Sequence, residues 1–216
     1  MMDTALKRLC MRDRIRDVLV ERILDGTYPA GLQLKELSLA REFNVSQAPI
    51  REALRELEGT GLVTSERYRG THVRGADSVE MRESYELRLM MEVRSIERGL
   101  PLSPEMAEKL QGCITNMSDA VARRDSEQYI DWALSFHRSL VEMGGNGTFL
   151  KLWDSLHWDV RGRIALRRLA AAGTDMDPVV AMHARVLQAL RDGDSRRAVE
   201  VLTAILHSVA AVFVAE

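Results

Sequence analysis

The sequence predicts a mainly α-helical protein in two parts, an N-terminal winged helix–turn–helix with a small β-hairpin wing and a C-terminal antiparallel all-α bundle. Two patterns predict this fold class. Residues 34–73 hold two short segments of helical apolar spacing, followed by an alternating run around Gly70. Beyond residue 78 the apolar spacing stays helical and is broken only by short polar loops. We therefore expect domains at residues 1–75 and 76–216.

The bulk composition fits a soluble, mostly helical protein. The chain has 216 residues, 46% of them hydrophobic and 29% charged, with a net charge of −2. Any nucleic-acid footprint must therefore be local. No apolar run reaches the roughly 18 residues of a membrane span, and the start of the chain lacks the apolar core of a signal peptide. Two isolated cysteines, Cys10 and Cys113, fit a reducing cytoplasm. We expect a cytoplasmic protein with no membrane partner.

The first two helices follow from apolar spacing and from turn residues. Apolar residues at helical spacing predict helices over 5–25 and 35–43. Leu32 and Leu34 lie between them in a short extended piece. Asn44 tolerates the left-handed conformation, so we expect it to end the second helix and to turn the chain there.

A third helix is expected to begin after Ser46, whose hydroxyl can accept a free backbone N–H of the first turn. The inward stripe of this helix consists of Ile50, Leu54 and Leu57. Gln47, Arg51 and Arg55 recur every four residues on another face. A helix that enters a DNA groove keeps its reading side chains on such a face.

A β-hairpin wing is expected after this helix, with strands over 62–66 and 71–74. Gly70 at its tip lets the backbone approach a sugar-phosphate chain closely. Possible phosphate donors lie around the tip and at the start of the second helix, and they are Arg67, Arg69, Thr71, His72 and Lys35. With Ser46 and the reading face they form the predicted DNA-binding set. The alternative is a charged surface that has no partner.

The C-terminal part is expected to be a bundle of six helices joined by short loops. The predicted spans are 78–99, 104–124, 126–143, 147–171, 178–192 and 195–214. Clusters of proline, glycine, asparagine and aspartate separate these spans.

The stretch LAREFNVSQAPIREALRELEGTGLV resembles the DNA-binding segment of the GntR family of bacterial transcription regulators. The matching residues are Leu39-Ala40, Val45-Ser46, Pro49-Ile50-Arg51-Glu52-Ala53-Leu54, Leu57 and Gly61-Leu62-Val63. The resemblance covers residues 12–74 and implies sequence-specific binding to double-stranded DNA. Many members carry arginine and threonine where this chain has Gln47 and Ala48. The operator sequence of those members therefore cannot be transferred to this chain.

The helical remainder resembles the effector domain of the FadR-type, or FCD, branch of the same family. Three markers carry the resemblance: Tyr85-Glu86-Leu87-Arg88 with Glu92, Phe136-His137 followed by Gly145-Asn146, and His183 followed by Gly193-Asp194 and Ala198. It implies a helical sensor domain, and we expect its partners to be a small organic acid and a second copy of the chain.

The same branch often holds a divalent metal with Asp-x-x-x-His on one helix, a second His and a third His further along. His137 and His183 match the two central ligands, but Ala133 and Ile205 stand where the aspartate and the last histidine are expected. A divalent metal is possible, but its ligand set is incomplete, so we expect no stable cofactor. The two histidines are otherwise buried and hydrogen-bonded, or they contact an effector directly.

Arg88 is the candidate that suits an effector carboxylate, because its guanidinium can hold a carboxylate through two hydrogen bonds. Its alternative role is an ion pair with Glu92, four residues further along the helix. Trp153 and Trp158 are expected in the core or in the wall of a pocket.

Three functions compete. The first is a ligand-responsive repressor that binds an inverted-repeat operator as a homodimer. The second is a metal-dependent small-molecule hydrolase that uses His137 and His183, although the sequence lacks a nucleophile elbow, a phosphate loop and a His-Glu-x-x-His motif. The third is a DNA-binding adaptor without an effector. We expect the first, and no enzyme.

Overall fold

A computed structural model describes residues 11–66, 68–74, 78–156 and 158–213. The chain divides into two compact units, Met1–Asp77 and Ser78–Glu216. Two predicted features lie outside the described residues, namely the domain boundary between residues 75 and 76 and the start of the first helix over 5–10. Among the helices that the structure describes, none is both long enough and apolar enough to cross a membrane.

The described part of the N-terminal unit combines helices with a small antiparallel sheet. Its elements are α1 (Met11–Leu24), β1 (Gln33–Leu34), α2 (Glu36–Glu42), α3 (Gln47–Gly59), β2 (Val63–Glu66) and β3 (Gly70–Val73). The strand order is β1-β3-β2. The extended piece that the sequence predicted at Leu32 and Leu34 contributes β1, which pairs Gln33 with His72 and Leu34 with Thr71. The hairpin is thereby part of a three-stranded sheet.

Apolar side chains of α1 and α3 form the core of this unit. The two helices pack against each other, and Ile15, Leu19, Ile50 and Leu57 are each at most 2% exposed. Burying an aliphatic side chain of this size contributes roughly 1.5–3 kcal/mol. One face of α3 is thus fixed in the core, and its opposite face is left to solvent.

The backbone of the turn between α2 and α3 has the predicted conformation. Asn44 has a positive φ of 53°, and Val45 donates its N–H to Ala40 O at 2.9 Å. Ser46 occupies the N-cap of α3 with an extended backbone, at φ −72° and ψ 166°. The expected capping bond was wrong, because the Ser46 hydroxyl accepts no N–H of the first turn.

The described residues of the C-terminal unit form a helical bundle that ends in a short 3₁₀ helix. The α-helices are α4 (Ser78–Gly99), α5 (Pro104–Ala122), α6 (Ser126–Met143), α7 (Gly147–Ser155), α8 (Trp158–Ala171), α9 (Asp177–Arg191) and α10 (Ser195–Ala210). The 3₁₀ helix is Ala211–Phe213. With the sheet and the helix–turn–helix, this arrangement confirms the mainly helical fold class.

The single helix predicted over 147–171 was wrong, because the chain breaks it into α7 and α8. Leu156 ends α7 with ψ near 0°, and its N–H tightens the last turn by donating to Trp153 O. The Leu156 carbonyl then accepts Arg161 Nε at 3.0 Å. A side chain of the next helix thus satisfies a carbonyl at the end of α7. No glycine or proline lies between residues 148 and 161, so the sequence carries no ordinary stop signal there.

The C-terminal ends of α4 and α6 approach each other closely. A Cβ atom on Gly144, which follows α6, would lie 2.7 Å from the Cα of Ser95 in α4. Only glycine permits this approach. Arg98 donates from α4 to Gly144 O at 3.2 Å and holds the same contact. Because of this close approach, side chains of α4 and α6 that lie one to two turns before the contact can reach each other.

Candidate functional sites

The exposed face of α3 carries the three side chains that the sequence assigned to reading. Gln47, Arg51 and Arg55 are all exposed, whereas Ile50 and Leu57 on the opposite side are fully buried. The helix therefore presents an amide and two guanidinium groups on a rigid support. Glutamine can pair with adenine and arginine with guanine in the major groove.

Arg51 is held in position by Glu36, which opens α2. Arg51 Nε lies 3.1 Å from both Glu36 carboxylate oxygens, and Arg51 Nη2 lies 2.7 Å from Oε2. The hydrogen bond from Arg51 holds the pKa of the Glu36 carboxyl below its usual range. The Nε and Nη2 atoms of the guanidinium donate to Glu36. The edge that ends in Nη1 is available for another acceptor. Glu36 was not among the predicted site residues, because its contact with Arg51 joins two helices that are 15 residues apart in sequence.

The remaining predicted phosphate donors lie at the start of α2, at the start of α3 and along the wing. Lys35 and Ser46 are exposed. The side chains of Thr71 and His72 are half-buried on β3, and Thr71 Oγ1 lies 3.1 Å from Ser65 Oγ. These groups can donate hydrogen bonds to the sugar-phosphate backbone of DNA. Such contacts do not read the base sequence.

The tip of the wing depends on a glycine. Gly70 has φ 85°, and a Cβ atom there would lie 3.0 Å from Gln33 Nε2. Gln33 Nε2 in turn donates to Arg69 O at 2.6 Å, so β1 holds the tip in place. Tyr68 is 92% exposed, and the Arg69 side chain reaches back to Glu66 at 3.1 Å. Arg67 lies outside the described residues.

The predicted sensor residues meet in a buried polar chain inside the C-terminal unit. Arg88 Nε donates to Glu92 Oε1 at 2.7 Å, and the other carboxylate oxygen of Glu92 lies 2.6 Å from His137 Nδ1. His137 Nε2 lies 3.3 Å from His183 Nε2. All four residues are at most 4% exposed. The ion pair that the sequence offered as the alternative role of Arg88 is therefore present, and Glu92 also joins Arg88 to the histidines.

Three aromatic rings surround the Arg88 guanidinium. Its Cζ lies 5.4 Å from the centre of the Tyr85 ring, 5.2 Å from Trp153 and 5.0 Å from Trp158. A cation at this distance from an aromatic ring is stabilised by the ring's quadrupole. Trp153 and Trp158 are buried at 3% exposure and act as walls that fix the arginine.

The protonation of the two histidines follows from their partners. His183 Nδ1 lies 2.7 Å from Val179 O and must donate to that carbonyl. Burial lowers the pKa of His183 to about 3, so the ring is neutral and its Nε2 is a bare acceptor. Burial alone would raise the pKa of Glu92, but the charge of Arg88 and the hydrogen bond from His137 lower it below its usual range. The resulting carboxylate accepts a hydrogen bond from His137 Nδ1.

His137 is then neutral as well, because burial and the charge of Arg88 lower its pKa. Its Nε2 carries no proton and faces the bare Nε2 of His183 at 3.3 Å. The two rings thus present a pair of hydrogen-bond acceptors toward each other. Such a pair is satisfied by a group that brings its own proton, for example the hydroxyl of a carboxyl group.

The residues present do not fit a divalent metal. Ala133 and Ile205 line the same small cavity as His137 and His183, so a methyl and a sec-butyl group stand where further ligands are needed. Glu92 binds His137 Nδ1 on the side opposite to His183 and cannot share an ion with both rings. Across the described ranges, no group of three or more His, Cys, Asp or Glu side chains could hold a metal ion.

Comparisons with known proteins agree with the two-part architecture. A family model described as "Bacterial regulatory proteins, gntR family" matches residues 11–73, and one described as "FCD domain" matches residues 83–208. The chain is 30% identical over 213 residues to a "Probable D-xylose utilization operon transcriptional repressor" of Paenarthrobacter nicotinovorans, covering 97% of this chain and 92% of the relative. It is 29% identical over 193 residues to a "Gluconate operon transcriptional repressor" of Bacillus licheniformis, covering 88% of this chain and 79% of the relative.

Solved structures share the fold at lower identity. A GntR transcriptional regulator from Rhodococcus sp. RHA1 superimposes with a TM-score of 0.74 at 22% identity, over 94% of this chain and 97% of that chain. McbR/YncC from E. coli superimposes with a TM-score of 0.70 at 21% identity, over 95% and 98%. At this identity, the likeness concerns the fold alone.

Proposed function

The chain belongs to the GntR family of bacterial regulatory proteins and carries an FCD domain, and on that premise we propose that it is a ligand-responsive repressor that binds an inverted-repeat operator as a homodimer. The family consists of DNA-binding transcription regulators, so the chain is a regulator and not an enzyme. The hydrolase considered from the sequence is thereby excluded. A bacterial regulator of this kind works in the cytoplasm, where the DNA lies.

The observation that carries the proposal is the geometry of the α3 face. Arg51 is exposed and oriented by Glu36 through three hydrogen bonds, which leaves the Nη1 edge free for a base. A guanidinium that is held in one orientation loses less conformational entropy when it binds guanine. Arg55 and Gln47 extend the same face by one turn in each direction. These three side chains form the proposed base-reading set.

The proposed phosphate contacts flank that face. Lys35 and Ser46 are exposed at the starts of α2 and α3. The wing brings Gly70 as a point of close backbone approach, and Thr71 and His72 as further donors. Arg69 adds positive charge at the tip, and Arg67 belongs to the predicted set but lies outside the described residues. Contacts of this kind set register and orientation, and they make affinity depend on salt.

A homodimer follows from the recognition of double-stranded DNA by one reading helix per chain. One α3 covers a single half-site, and a two-fold dimer binds two half-sites related by the same symmetry. The operator should therefore be an inverted repeat. The FCD unit is the proposed place of both dimerisation and sensing.

A small organic acid is the proposed effector. Arg88 is a buried cation that is linked to His137 through Glu92, and the Nε2 atoms of His137 and His183 face each other at the other end of this chain. Such a set of donors and acceptors suits a carboxyl group. The relatives named above are described as a probable repressor of a D-xylose utilization operon and a repressor of a gluconate operon, which supports an effector from carbon metabolism. Effector binding would favour one of two conformations of the dimer and so change its affinity for the operator.

Selection of bound fragments from the genomic DNA tests the proposal. Wild-type protein should enrich one inverted repeat, and Arg51→Ala should lose that enrichment. Arg196→Ala is a matched control, since Arg196 is a 90% exposed arginine on α10 and removes the same charge. Enrichment of no inverted repeat, or equal binding by Arg51→Ala and Arg196→Ala, would contradict the proposed reading face.

A DNA-binding adaptor without an effector is the second candidate, favoured by the small size of the cavity beside the histidines, about 60 Å³. Thermal-shift measurements separate the two. A sensor gains stability with one class of organic acid, because a ligand that binds only the folded state raises its free energy of unfolding. An adaptor gains none with any class.

A further inference from the structure

An open cleft of about 420 Å³ lies in the C-terminal unit, between the turn that joins α5 to α6 and the loop before α9. Its volume falls within the roughly 300–1,000 Å³ of ordinary ligand pockets. The apolar part of its lining consists of Ala120, Val121, Leu166 and Met176. The described lining does not include Arg88, His137 or His183, so the cleft is a different site from the buried polar chain.

The hydroxyl group of Tyr129 is a polar group of this cleft that the protein leaves without a partner. The Tyr129 side chain lines the cleft and is only 5% exposed. Burial raises the pKa of its phenol, and no charge or hydrogen bond from the described residues acts on it as well. Buried polar groups are almost always hydrogen-bonded. The unpaired hydroxyl group therefore points to a partner that comes from outside the chain.

The backbone of Arg124 is the second unusual feature of the cleft, because it has a positive φ of 57°. Arg124 follows the last turn of α5, and the next residue, Asp125, donates its N–H to Ala120 O at 2.9 Å. Glycine usually occupies this position, since a side chain strains the left-handed backbone. The chain itself has Gly173 and Gly193 at the same position after α8 and α9. Strained residues cluster at binding and catalytic sites, so the strain at Arg124 points to a role for its side chain.

The charged side chains of the cleft offer both donors and acceptors. Arg124 is exposed and makes no side-chain hydrogen bond or ion pair with the described residues, so its five N–H donors are available. Asp125 and Asp175 each accept one backbone N–H, from Gln128 at 3.0 Å and from Asp177 at 3.1 Å. Each of these carboxylates keeps a second oxygen that can accept from a bound molecule.

The charges of the lining decide which class of molecule fits. One arginine and two aspartates give the described lining a net charge of −1. An anion would be repelled by the two carboxylates, and a cation would be repelled by the guanidinium group of Arg124. A neutral molecule with several hydroxyl groups avoids both repulsions, because each hydroxyl can donate to a carboxylate and accept from a guanidinium or a phenol.

We propose that this cleft binds a neutral polyhydroxylated molecule, either a free sugar or a polyol. Arg124 donates to adjacent hydroxyl groups of the molecule, and Asp125 and Asp175 accept from others. The hydroxyl group of Tyr129 makes a further hydrogen bond, and the apolar part of the lining contacts the carbon skeleton. This site goes beyond the proposed function and does not depend on the effector centre around Arg88.

Calorimetric titration of the full chain tests the class of ligand without any DNA. The neutral probes are D-glucose, D-xylose and sorbitol, and the charged probes are gluconate and glucosamine. For each probe, the part of the binding that is lost in Arg124→Gly reports on the cleft. At least one neutral probe should bind there, and both charged probes should bind there at least about tenfold more weakly. Binding of no neutral probe, or equally tight binding of a charged probe in the cleft, would overturn the inference.

Arg124→Gly also separates a binding role of the arginine from a structural one. Glycine relieves the positive φ, so the variant should be at least as stable as wild type in urea unfolding. Its affinity for the neutral probe should nevertheless fall by at least about tenfold. Arg196→Ala is the control, because it removes an arginine that is 90% exposed on α10, and it should keep wild-type affinity. Equal affinities of Arg124→Gly and Arg196→Ala would refute the proposed site.

Tyr129→Phe tests the buried end of the cleft, because it removes the hydroxyl group and keeps the ring. The variant should be as stable as wild type, since the hydroxyl group has no protein partner among the described residues. It should bind the neutral probe roughly three- to tenfold more weakly, which is the usual effect of one lost hydrogen bond between neutral groups. Unchanged affinity in this variant would contradict the contact with Tyr129.

The outcome is separable from that of the proposed function. Failure to select an inverted repeat would remove the proposed repressor and leave the binding of neutral probes intact. Selection of an operator, together with no binding of a neutral probe, would remove only this second site.

Discussion

Replacing His183 with asparagine should reduce the sensitivity of the protein to mild acid. His183 is 1% exposed, donates to Val179 O through Nδ1, and packs with its ring 5.0 Å from Phe136. A charged imidazolium has no carboxylate in direct contact at this place. The folded protein therefore keeps the ring neutral, whereas the unfolded chain exposes it to water.

The magnitude follows from the shift of the pKa. Burial lowers the pKa of His183 from 6.5 to about 3. Above 6.5 the ring is neutral in both states and its stabilising effect is fully present. As the pH falls from 6.5 toward 3, the unfolded chain binds a proton that the folded chain refuses, so stability is lost. The loss is about 1.4 kcal/mol per pH unit, or about 2 kcal/mol at about pH 5.

Urea unfolding followed by circular dichroism measures this effect at neutral pH and in mild acid. The free energy of unfolding should fall by about 2 kcal/mol less between about pH 7 and pH 5 in His183→Asn than in wild type, because asparagine does not titrate and its amide can still donate to Val179 O. His207→Asn is the control, since His207 is exposed on α10 and changes its surroundings little on unfolding. The reasoning is refuted if His183→Asn and wild type lose the same stability in acid.

Further variants test the DNA-reading unit and the metal. Glu36→Ala should reduce the discrimination for the base pair read by Arg51 by roughly tenfold in competition binding, since the guanidinium loses its support; unchanged discrimination would contradict this role. Gly70→Ala should destabilise the N-terminal unit by about 1 kcal/mol in urea unfolding, because φ is 85° and the new Cβ meets Gln33. Ser46→Ala should change stability by less than about 0.5 kcal/mol, since the hydroxyl makes no capping bond; a loss above that would show a hidden cap. Elemental analysis should find less than stoichiometric metal, because Ala133 and Ile205 supply no ligands beside His137 and His183; a full complement of zinc or nickel per chain would refute this reasoning.

The helix–turn–helix was predictable because its determinants are local. Asn44 sets the left-handed turn, and the spacing of Ile50, Leu54 and Leu57 decides which face of α3 is buried. Once that face is known, the exposure of Arg51 and Arg55 follows from helix geometry. The capping bond of Ser46 was not predictable to the same degree, because a hydroxyl rotor chooses between neighbours at little cost.

The sensor site was predictable only in part because its determinants are distant in sequence. The resemblance to the FCD branch singled out Arg88, His137 and His183, but it carries no information on which neighbour each side chain meets. The bridge by Glu92 depends on the close approach of α4 and α6 at Gly144. The break between α7 and α8 likewise depends on a carbonyl that is satisfied by Arg161 from outside its own helix.

The buried chain of Arg88, Glu92, His137 and His183 is better explained by binding than by stability. Removing two charges and two imidazoles from water costs several kcal/mol, and well-packed apolar residues of similar volume are often as stabilising as such a pair. The surrounding walls are already aliphatic, so an apolar replacement would find matching neighbours. The acceptor pair on the two Nε2 atoms also lacks a proton in the resting state. A ligand that supplies this proton would gain free energy that the protein leaves unused when it is empty, and a sensor needs such a difference between its two states.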